Sequence, residues 1–477
     1  MNFQRFSSLA LLALLCAPTL SAQEGPEVLY PRMESLYKQG KFQEALPIAR
    51  VLVEMSKKEN GPESPDTMSM MRYVAQMDTA VGNVDEAESY LLQVEAILSK
   101  NPIPTQQYAR SLGDLSKLYY DQKLDFAKTE IYLKRSITIL EKVAPTNDGD
   151  MGTALNNLAT LYEREGRSQE ALAIDKRIVE IREKALPTVN ASLANSLIAR
   201  GHVYSDLRDY EKAEDDLKRA LSMLQTLKGP DHRDVAQAYG VLAQTELAMG
   251  RLDESSEHWR QVIEISKEAD GPTSLNVAYA LAGLAAVDAK RKEYEKAQAG
   301  YQQAIAMIKE HWGTQDPRIA WQVRALGVLY LEQGKLGDAE AALQQAAAIL
   351  QKRYGANTPF VAPILLDLAV VERKKLDYPA ALAYGNRALT IDEQLPEPPS
   401  ELLSRELVEI TFSQIGAGNC ISADAPSIRG VEIAQAHELD DVKGYRNALL
   451  ARSRVLECLG RLEEAKQLNE EANSIKP

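Results

Sequence analysis

A 42-residue period runs through almost the whole 477-residue chain and limits what it can fold into. Alanine recurs at this spacing, and the two positions of the series without alanine hold threonine and serine, which are also small. Self-similarity at a fixed period of about 20–50 residues is typical of stacked repeat proteins. The series consists of Ala45, Ala87, Thr129, Ala171, Ala213, Ser255, Ala297, Ala339, Ala381, Ala423 and Ala465.

Two further series indicate that each period is a pair of helices. Glycine often stands five residues before the repeat alanine, where it can end a helix, and small residues recur twelve residues before it, where two helices could approach closely. Apolar residues at three- and four-residue steps flank both positions. We therefore expect stacked hairpins and an all-α fold, with Ala171, Ala213, Ala297, Ala339 and Ala381 as structural positions. The third repeat has one extra residue near Gln122–Asp125.

The repeat also resembles a known family. Its order of small residue, tyrosine, glycine, aromatic residue and alanine resembles the tetratricopeptide repeat, whose usual period is about 34 residues. The longer period, the Gly229-Pro230-Asp231-His232 linker and the Leu155-Asn156-Asn157-Leu158-Ala159 segment are similar to the kinesin-light-chain variety. The resemblance covers about residues 25–475. It implies a right-handed superhelical solenoid over residues 23–477, with about eleven helix-turn-helix units starting near residues 26, 68, 110, 152, 194, 236, 278, 320, 362, 404 and 446.

The first 22 residues have the pattern of a secretory signal peptide. Arg5 precedes the apolar run of residues 9–15, and Ser21 and Ala22 form a small-residue cleavage context. We expect an exported bacterial protein, periplasmic or extracellular, without a membrane span in the mature chain. The formal net charge of −13 disfavours nucleic acid as a partner, because phosphates require basic surfaces.

The sequence contains no arrangement of residues that predicts catalysis. It lacks the Gly-x-Ser-x-Gly, His-Glu-x-x-His, P-loop and Cys-x-x-Cys motifs, and its five histidines are scattered. We therefore expect neither an enzyme nor a bound cofactor or metal. A protein or an extended peptide is the expected partner, because such repeats generally form protein-binding surfaces.

In tetratricopeptide solenoids the first helix of each hairpin lines the concave face, and later repeats place apolar and hot-spot residue types there. Their contact with a partner and their burial by tight superhelical coiling are equally good interpretations. The candidates are Tyr279, Trp321, Arg324, Val328, Leu331, Leu366, Val370, Arg373 and Phe412.

Two cysteines remain after residue 22. By register, Cys420 starts a second helix and Cys458 ends the first helix of the next repeat, so both fall at the same height on touching helices. A disulfide and two separate buried thiols are both compatible with this placement.

The functional interpretation is an exported, non-enzymatic scaffold that binds a peptide or protein on its concave face. The alternatives are a self-associating structural or assembly factor of the cell envelope and a degenerate enzyme regulator. The oligomeric state and the identity of the partner do not follow from the sequence.

Overall fold

The computed structural model describes residues 24–475, except 102, 145–147, 186, 188, 396–397 and 437–440. The predicted signal peptide lies outside the described residues. Within them, 22 α-helices form eleven consecutive pairs, and no β-strand is present. The all-α repeat solenoid that the period predicts is therefore confirmed.

The contacts group the helices into two compact units, with the boundary between Leu158 and Ala159, inside α7. The first unit contains α1–α6 and most of α7. These helices are α1 (Pro26–Lys38), α2 (Phe42–Asn60), α3 (Pro65–Val81), α4 (Val84–Leu98), α5 (Gln106–Leu118), α6 (Phe126–Val143) and α7 (Asp148–Arg164).

The second compact unit contains the end of α7 and the remaining helices. These are α8 (Ser168–Ala185), α9 (Ala191–Asp206), α10 (Tyr210–Lys228), α11 (Arg233–Ala248), α12 (Leu252–Asp270), α13 (Leu275–Lys290), α14 (Tyr294–Trp312), α15 (Pro317–Glu332), α16 (Leu336–Tyr354), α17 (Ala362–Lys374), α18 (Tyr378–Glu393), α19 (Ser400–Gly416), α20 (Cys420–Ala436), α21 (Val442–Cys458) and α22 (Leu462–Ser474).

The small residues of the period lie where the two helices of a pair touch. All eleven positions of the alanine series are essentially inaccessible to solvent. Ser255 donates a hydrogen bond to the carbonyl oxygen of Ala243 at 2.7 Å, and Ser453 donates one to that of Ala465 at 2.8 Å. Side chains thus meet the backbone of the neighbouring helix directly. A larger side chain at these positions would overpack the contact.

The turn inside each pair requires a left-handed backbone at the position five residues before the repeat alanine. Seven glycines there have φ of 70–88°. The four exceptions keep the same conformation despite their side chains, with φ of 53–69° at Leu124, Arg208, Lys292 and Leu376. The turn geometry therefore comes from the packing of the helices, and glycine only makes it easier to adopt.

A π-helical turn at Tyr119–Lys123 distinguishes the third repeat. A π-turn accommodates one more residue than the α-helical path, which agrees with the extra residue that the sequence indicates near this point. As a result, Ser116 instead of Lys117 takes the buried small-residue position, and Lys117 is exposed.

The last two repeats are joined covalently. Cys420 and Cys458 form a disulfide, and their Cα atoms are 5.8 Å apart. This separation falls in the usual range of about 4.4–6.8 Å for disulfides. The start of α20 and the end of α21 therefore lie side by side, as the antiparallel stacking of successive helices requires.

Candidate functional site

The first helices of successive hairpins form one face of the second compact unit. Each odd-numbered helix from α9 to α19 contacts the next odd-numbered helix as well as its own hairpin partner. Repeats far apart in sequence also meet within this unit. Arg208 Nη2 lies 3.4 Å from a carboxylate oxygen of Glu401, and the Arg164 guanidinium lies 4.9 Å from the centre of the Phe360 ring. The unit therefore curves tightly on the side of its first helices.

Arginine–carboxylate pairs join neighbouring first helices along this face. Arg324 Nε on α15 donates to Asp367 on α17 at 2.6 Å, and Arg373 Nε on α17 donates to Glu409 on α19 at 2.6 Å. The Arg373 guanidinium also lies 5.5 Å from the centre of the Phe412 ring. Burial raises the pKa of Glu409, and the Arg373 hydrogen bond opposes that shift. We refer to these two pairs as the ion-pair ladder.

The sequence-based candidates divide according to this packing. Tyr279 and Trp321 are 39% and 41% exposed, as a contact surface requires. Arg324, Val328, Leu331, Val370, Arg373 and Phe412 are half-buried, and both arginines are engaged in the ion-pair ladder. The placement of Leu366 on an exposed face is wrong. Leu366 is 4% exposed, because α15, α16, α18 and α19 all pack against α17.

A cavity of about 660 Å³ lies among α11–α15, in the repeats that precede the ion-pair ladder in sequence. Its volume is within the range of about 300–1,000 Å³ typical of small-molecule sites. Tyr279 lines it, and Trp321 adjoins its lining residue Gln322. Most of its walls are apolar. We call it the α11–α15 cavity.

Four small residues open this cavity. In the ladder, Arg324 and Asp367 face each other from α15 and α17. One repeat earlier the corresponding pair is Ala282 and Ala325, and two repeats earlier it is Gly240 and Gly283. All four of these small residues line the cavity. The cavity therefore spans two successive contacts between first helices, α11–α13 and α13–α15, and at both of them the large paired side chains of the ion-pair ladder are missing.

The indole ring of Trp259 on α12 forms the floor of the cavity, its inner wall. The ring occupies the space that Gly240 and Gly283 leave. A Cβ atom added to Gly283 would lie 2.3 Å from the indole ring, and one added to Gly240 would lie 3.6 Å from it. Glycine at 283 is thus required by the close approach of the ring. Tyr301 on α14, 42 residues after Trp259, also lines the cavity, and both aromatic side chains are more than 90% buried.

The charged residues of the cavity lining form ion pairs. Among the described residues that line the cavity, Arg233 and Asp234 are charged; Arg233 lies 3.8 Å from Asp270, and Asp234 pairs with Lys228. Burial raises the pKa of Tyr279, with nearby Arg318 acting in the opposite direction, and burial raises the pKa of Tyr301 to about 12. Both phenols are therefore neutral at physiological pH.

Sequence reasoning found Tyr279 and Trp321 but missed Trp259 and the four small residues that shape the cavity. The available signal was the loss of Arg and Asp at positions 42 residues before Arg324 and Asp367. In the part of the chain that the structure covers, no group of three or more His, Cys, Asp or Glu side chains could hold a metal ion. None of the described helices combines the length and apolar character needed to span a membrane.

The fold and the cavity-bearing face define an all-α repeat scaffold. Residues 197–394 match the family described as the MalT-like TPR region, and residues 150–226 and 34–66 match tetratricopeptide-repeat families. The chain is a tetratricopeptide-repeat protein. The fold implies a protein or peptide partner.

The chain is similar to several solved structures at low sequence identity. BtubC (BKLC) from P. vanneervenii is 24% identical, with 50% of this chain and 91% of that chain covered and a TM-score of 0.37. A Podosopora anserina putative kinesin light chain is 20% identical (44% and 98% covered, TM-score 0.35). A tetratricopeptide repeat protein from Parabacteroides merdae is 18% identical (65% and 99% covered, TM-score 0.41). No curated protein sequence matches the chain.

Proposed function

We propose that this protein is an exported, non-enzymatic scaffold that binds an extended segment of a partner protein on the first-helix face of its second compact unit. The observation that supports this most is the α11–α15 cavity, with exposed Tyr279 in its lining and exposed Trp321 on α15, the helix that contributes Gln322 and Ala325 to that lining. Aromatic side chains that are already held by a helix lose little conformational entropy on binding, so they suit an interface anchor. Export rests on the residue 1–22 pattern alone.

The test is capture of partners from the native host by the mature chain, residues 23–477. Tyr279→Ala combined with Trp321→Ala removes the two exposed aromatic groups and leaves the ladder intact. We expect this variant to keep its helicity and to lose at least tenfold in affinity for the captured partner.

The matched control replaces exposed apolar residues on second helices. Ile131 on α6 and Leu462 on α22 are 56% and 65% exposed, and neither belongs to the proposed face. Ile131→Ala with Leu462→Ala should bind the partner as the wild type does. Equal affinity of the Tyr279/Trp321 variant and the wild type would place the partner elsewhere. Light scattering addresses self-association, because a monomeric mature chain disfavours the assembly-factor alternative.

A further inference from the structure

The lining of the α11–α15 cavity specifies what kind of group it accepts. We infer that it binds an uncharged aromatic side chain of the partner together with the peptide groups that flank that side chain. This inference rests on the proposed function and defines the chemistry of the same site.

The apolar part of the lining determines the side-chain class. Trp259 and Tyr301 form an aromatic floor, and Ala282, Ala286 and Ala325 leave room above it. Aromatic rings pack against one another in offset or edge-to-face arrangements and gain more than their buried area alone provides. An aromatic side chain therefore gains most from this floor.

The charge of the lining excludes ionised side chains. Asp234 is paired with Lys228, and the side chain of Arg233 is 64% exposed beside Asp270, so the buried part of the described lining offers no unpaired charge to an incoming carboxylate or ammonium group. An ion that enters such a cavity loses its hydration without gaining a counter-ion, which is strongly unfavourable.

Three buried polar atoms in the lining determine the remaining part of the ligand. Trp259 Nε1, Ser266 Oγ and Gln322 Oε1 have no hydrogen-bond partner among the described residues, and each residue is more than 90% buried. Buried polar groups are nearly always satisfied in folded proteins. A peptide group supplies both a carbonyl acceptor for the indole N–H and an N–H donor for the glutamine oxygen.

The volume agrees with this combination. About 660 Å³ exceeds the space that one aromatic side chain fills, and the cavity extends from Asn276 at the start of α13 to Ala286. One aromatic residue with its two adjacent peptide groups therefore fits the chemistry of the walls and the size of the space.

The test uses neutral and charged amino-acid amides, titrated into the mature chain and followed by saturation-transfer NMR. N-acetyl-L-phenylalaninamide should bind saturably, with a Kd of about 0.1–1 mM for a ligand of this size. N-acetyl-L-alaninamide and the corresponding amides of glutamate and lysine should bind at least tenfold more weakly. Equal affinity for the charged amides, or no saturable binding of the phenylalanine compound, would overturn the inference.

A double variant closes the cavity without removing its floor. Ala282→Arg with Ala325→Asp introduces the residue types of the Arg324–Asp367 pair at the equivalent positions of the preceding repeats. It should weaken binding of N-acetyl-L-phenylalaninamide at least tenfold. Thr160→Phe is the matched control, because Thr160 is exposed, occupies the register of Ala286 and lies outside the cavity lining. This control should bind the probe as the wild type does, and wild-type affinity in the closed double variant would refute the assignment.

Two further outcomes separate this inference from the proposed function. If partner capture requires Tyr279 and Trp321 but no neutral aromatic probe binds, only the cavity assignment fails. If the probe binds and the double variant prevents it, yet the partner binds without Tyr279 and Trp321, the proposed function fails. Circular dichroism and the unfolding midpoint of each variant establish that it is folded. Should the double variant not fold, Ala286→Phe, which fills the same space from α13, replaces it.

Discussion

Two neighbouring stretches of the same face, α11–α15 and α15–α19, share their backbone register and differ in side chains. The first has Gly240, Ala282, Gly283 and Ala325 at the positions that face each other across first helices, and it contains the cavity. The second has the Arg324–Asp367 pair at the equivalent positions, followed by Arg373–Glu409. In this scaffold, the two residues that face each other at a contact between first helices therefore determine whether that part of the face is closed by an ion pair or open as a cavity.

The first compact unit also has an ion pair between two successive first helices, but there the pair lies beside a smaller cavity. Arg72 on α3 pairs with Asp114 on α5. Asp114 also lines a cavity of about 320 Å³, whose wall includes Lys117 and Asp121. Leu91 lines this cavity at the register that Trp259 occupies four repeats later. The smaller cavity has three charged residues and one aromatic residue, Tyr37, in its lining, whereas the larger one has three aromatic residues and two charged residues that form ion pairs.

The largest expected effect comes from removing the aromatic floor. Trp259→Ala should lower the free energy of unfolding by about 3–5 kcal/mol, because the buried indole ring is lost and a void remains. Urea denaturation followed by circular dichroism measures this change. Leu343→Ala, at the same register beside the ion-pair ladder, is the comparison and should cost about 2–5 kcal/mol. A loss below about 1 kcal/mol for Trp259→Ala would contradict the tight packing of the ring against Gly283.

An intermediate effect on stability is expected from introducing an arginine–aspartate pair, like those of the ion-pair ladder, into the cavity. Ala325→Asp alone places an unpaired carboxylate in a half-buried site and should cost about 1–3 kcal/mol. Adding Ala282→Arg should recover part of that loss, with a coupling energy of about 0.5–2 kcal/mol in a double-mutant cycle. If the changes in the free energy of unfolding caused by the two substitutions were strictly additive, residues 282 and 325 would not form an ion pair like Arg324–Asp367.

The two stretches should also respond differently to pH. At the end of the ladder, Asp392 on α18 and Glu406 on α19 are buried carboxyl groups. Burial raises the pKa of both; repulsion from Asp392 and Glu393 adds to the shift of Glu406, and Arg405 opposes it. A folded-state pKa above the unfolded value means that the contribution to stability is complete below the ordinary carboxyl pKa. That contribution is lost as the pH rises through the raised pKa values.

Stability measured from pH 5 to 8 should therefore fall. Glu406→Gln should flatten this dependence and stabilise the protein at pH 8 by roughly 1 kcal/mol. Binding of N-acetyl-L-phenylalaninamide should not change over the same range, because the tyrosines of the cavity stay neutral. A pH-independent wild-type stability would show that these two carboxyl groups do not share a buried, proton-dependent contact.

The smallest effects should be equal in the two stretches. Lys292 between α13 and α14 and Leu376 between α17 and α18 hold a left-handed backbone that glycine adopts without strain. Lys292→Gly and Leu376→Gly should each stabilise the protein by about 0.5–1 kcal/mol, as seen in the unfolding midpoint. Opposite signs at the two turns would show that the turn geometry is not shared along the face.

Much of the fold could be predicted from the sequence because the period records the packing directly. The repeat alanines, the turn glycines and the extra residue near Gln122–Asp125 all reflect contacts between helices adjacent in sequence. The cavity could not be predicted in the same way. Whether a half-exposed side chain faces solvent or a neighbouring helix depends on how tightly the repeats curve, which the period does not specify.

Leu366 and Arg324 illustrate this limit. Both stand at positions that periodicity assigns to the inner face, yet α17 is enclosed by four helices and buries Leu366. Arg324 is engaged by a carboxylate that lies one repeat away in sequence. Trp259 was missed for the opposite reason. It belongs to a second helix and reaches the first-helix face only because Gly283 leaves room for its ring.

Site-specific photo-crosslinking from position 279 tests most directly whether the α11–α15 cavity contacts a partner. A photoreactive phenylalanine analogue in place of Tyr279 should crosslink the mature chain to one partner in the native host. The crosslink should disappear when Ala282→Arg and Ala325→Asp are added, while the same analogue at position 131 on α6 gives no such product. A crosslink of equal strength in the chain with the closed cavity would contradict the account.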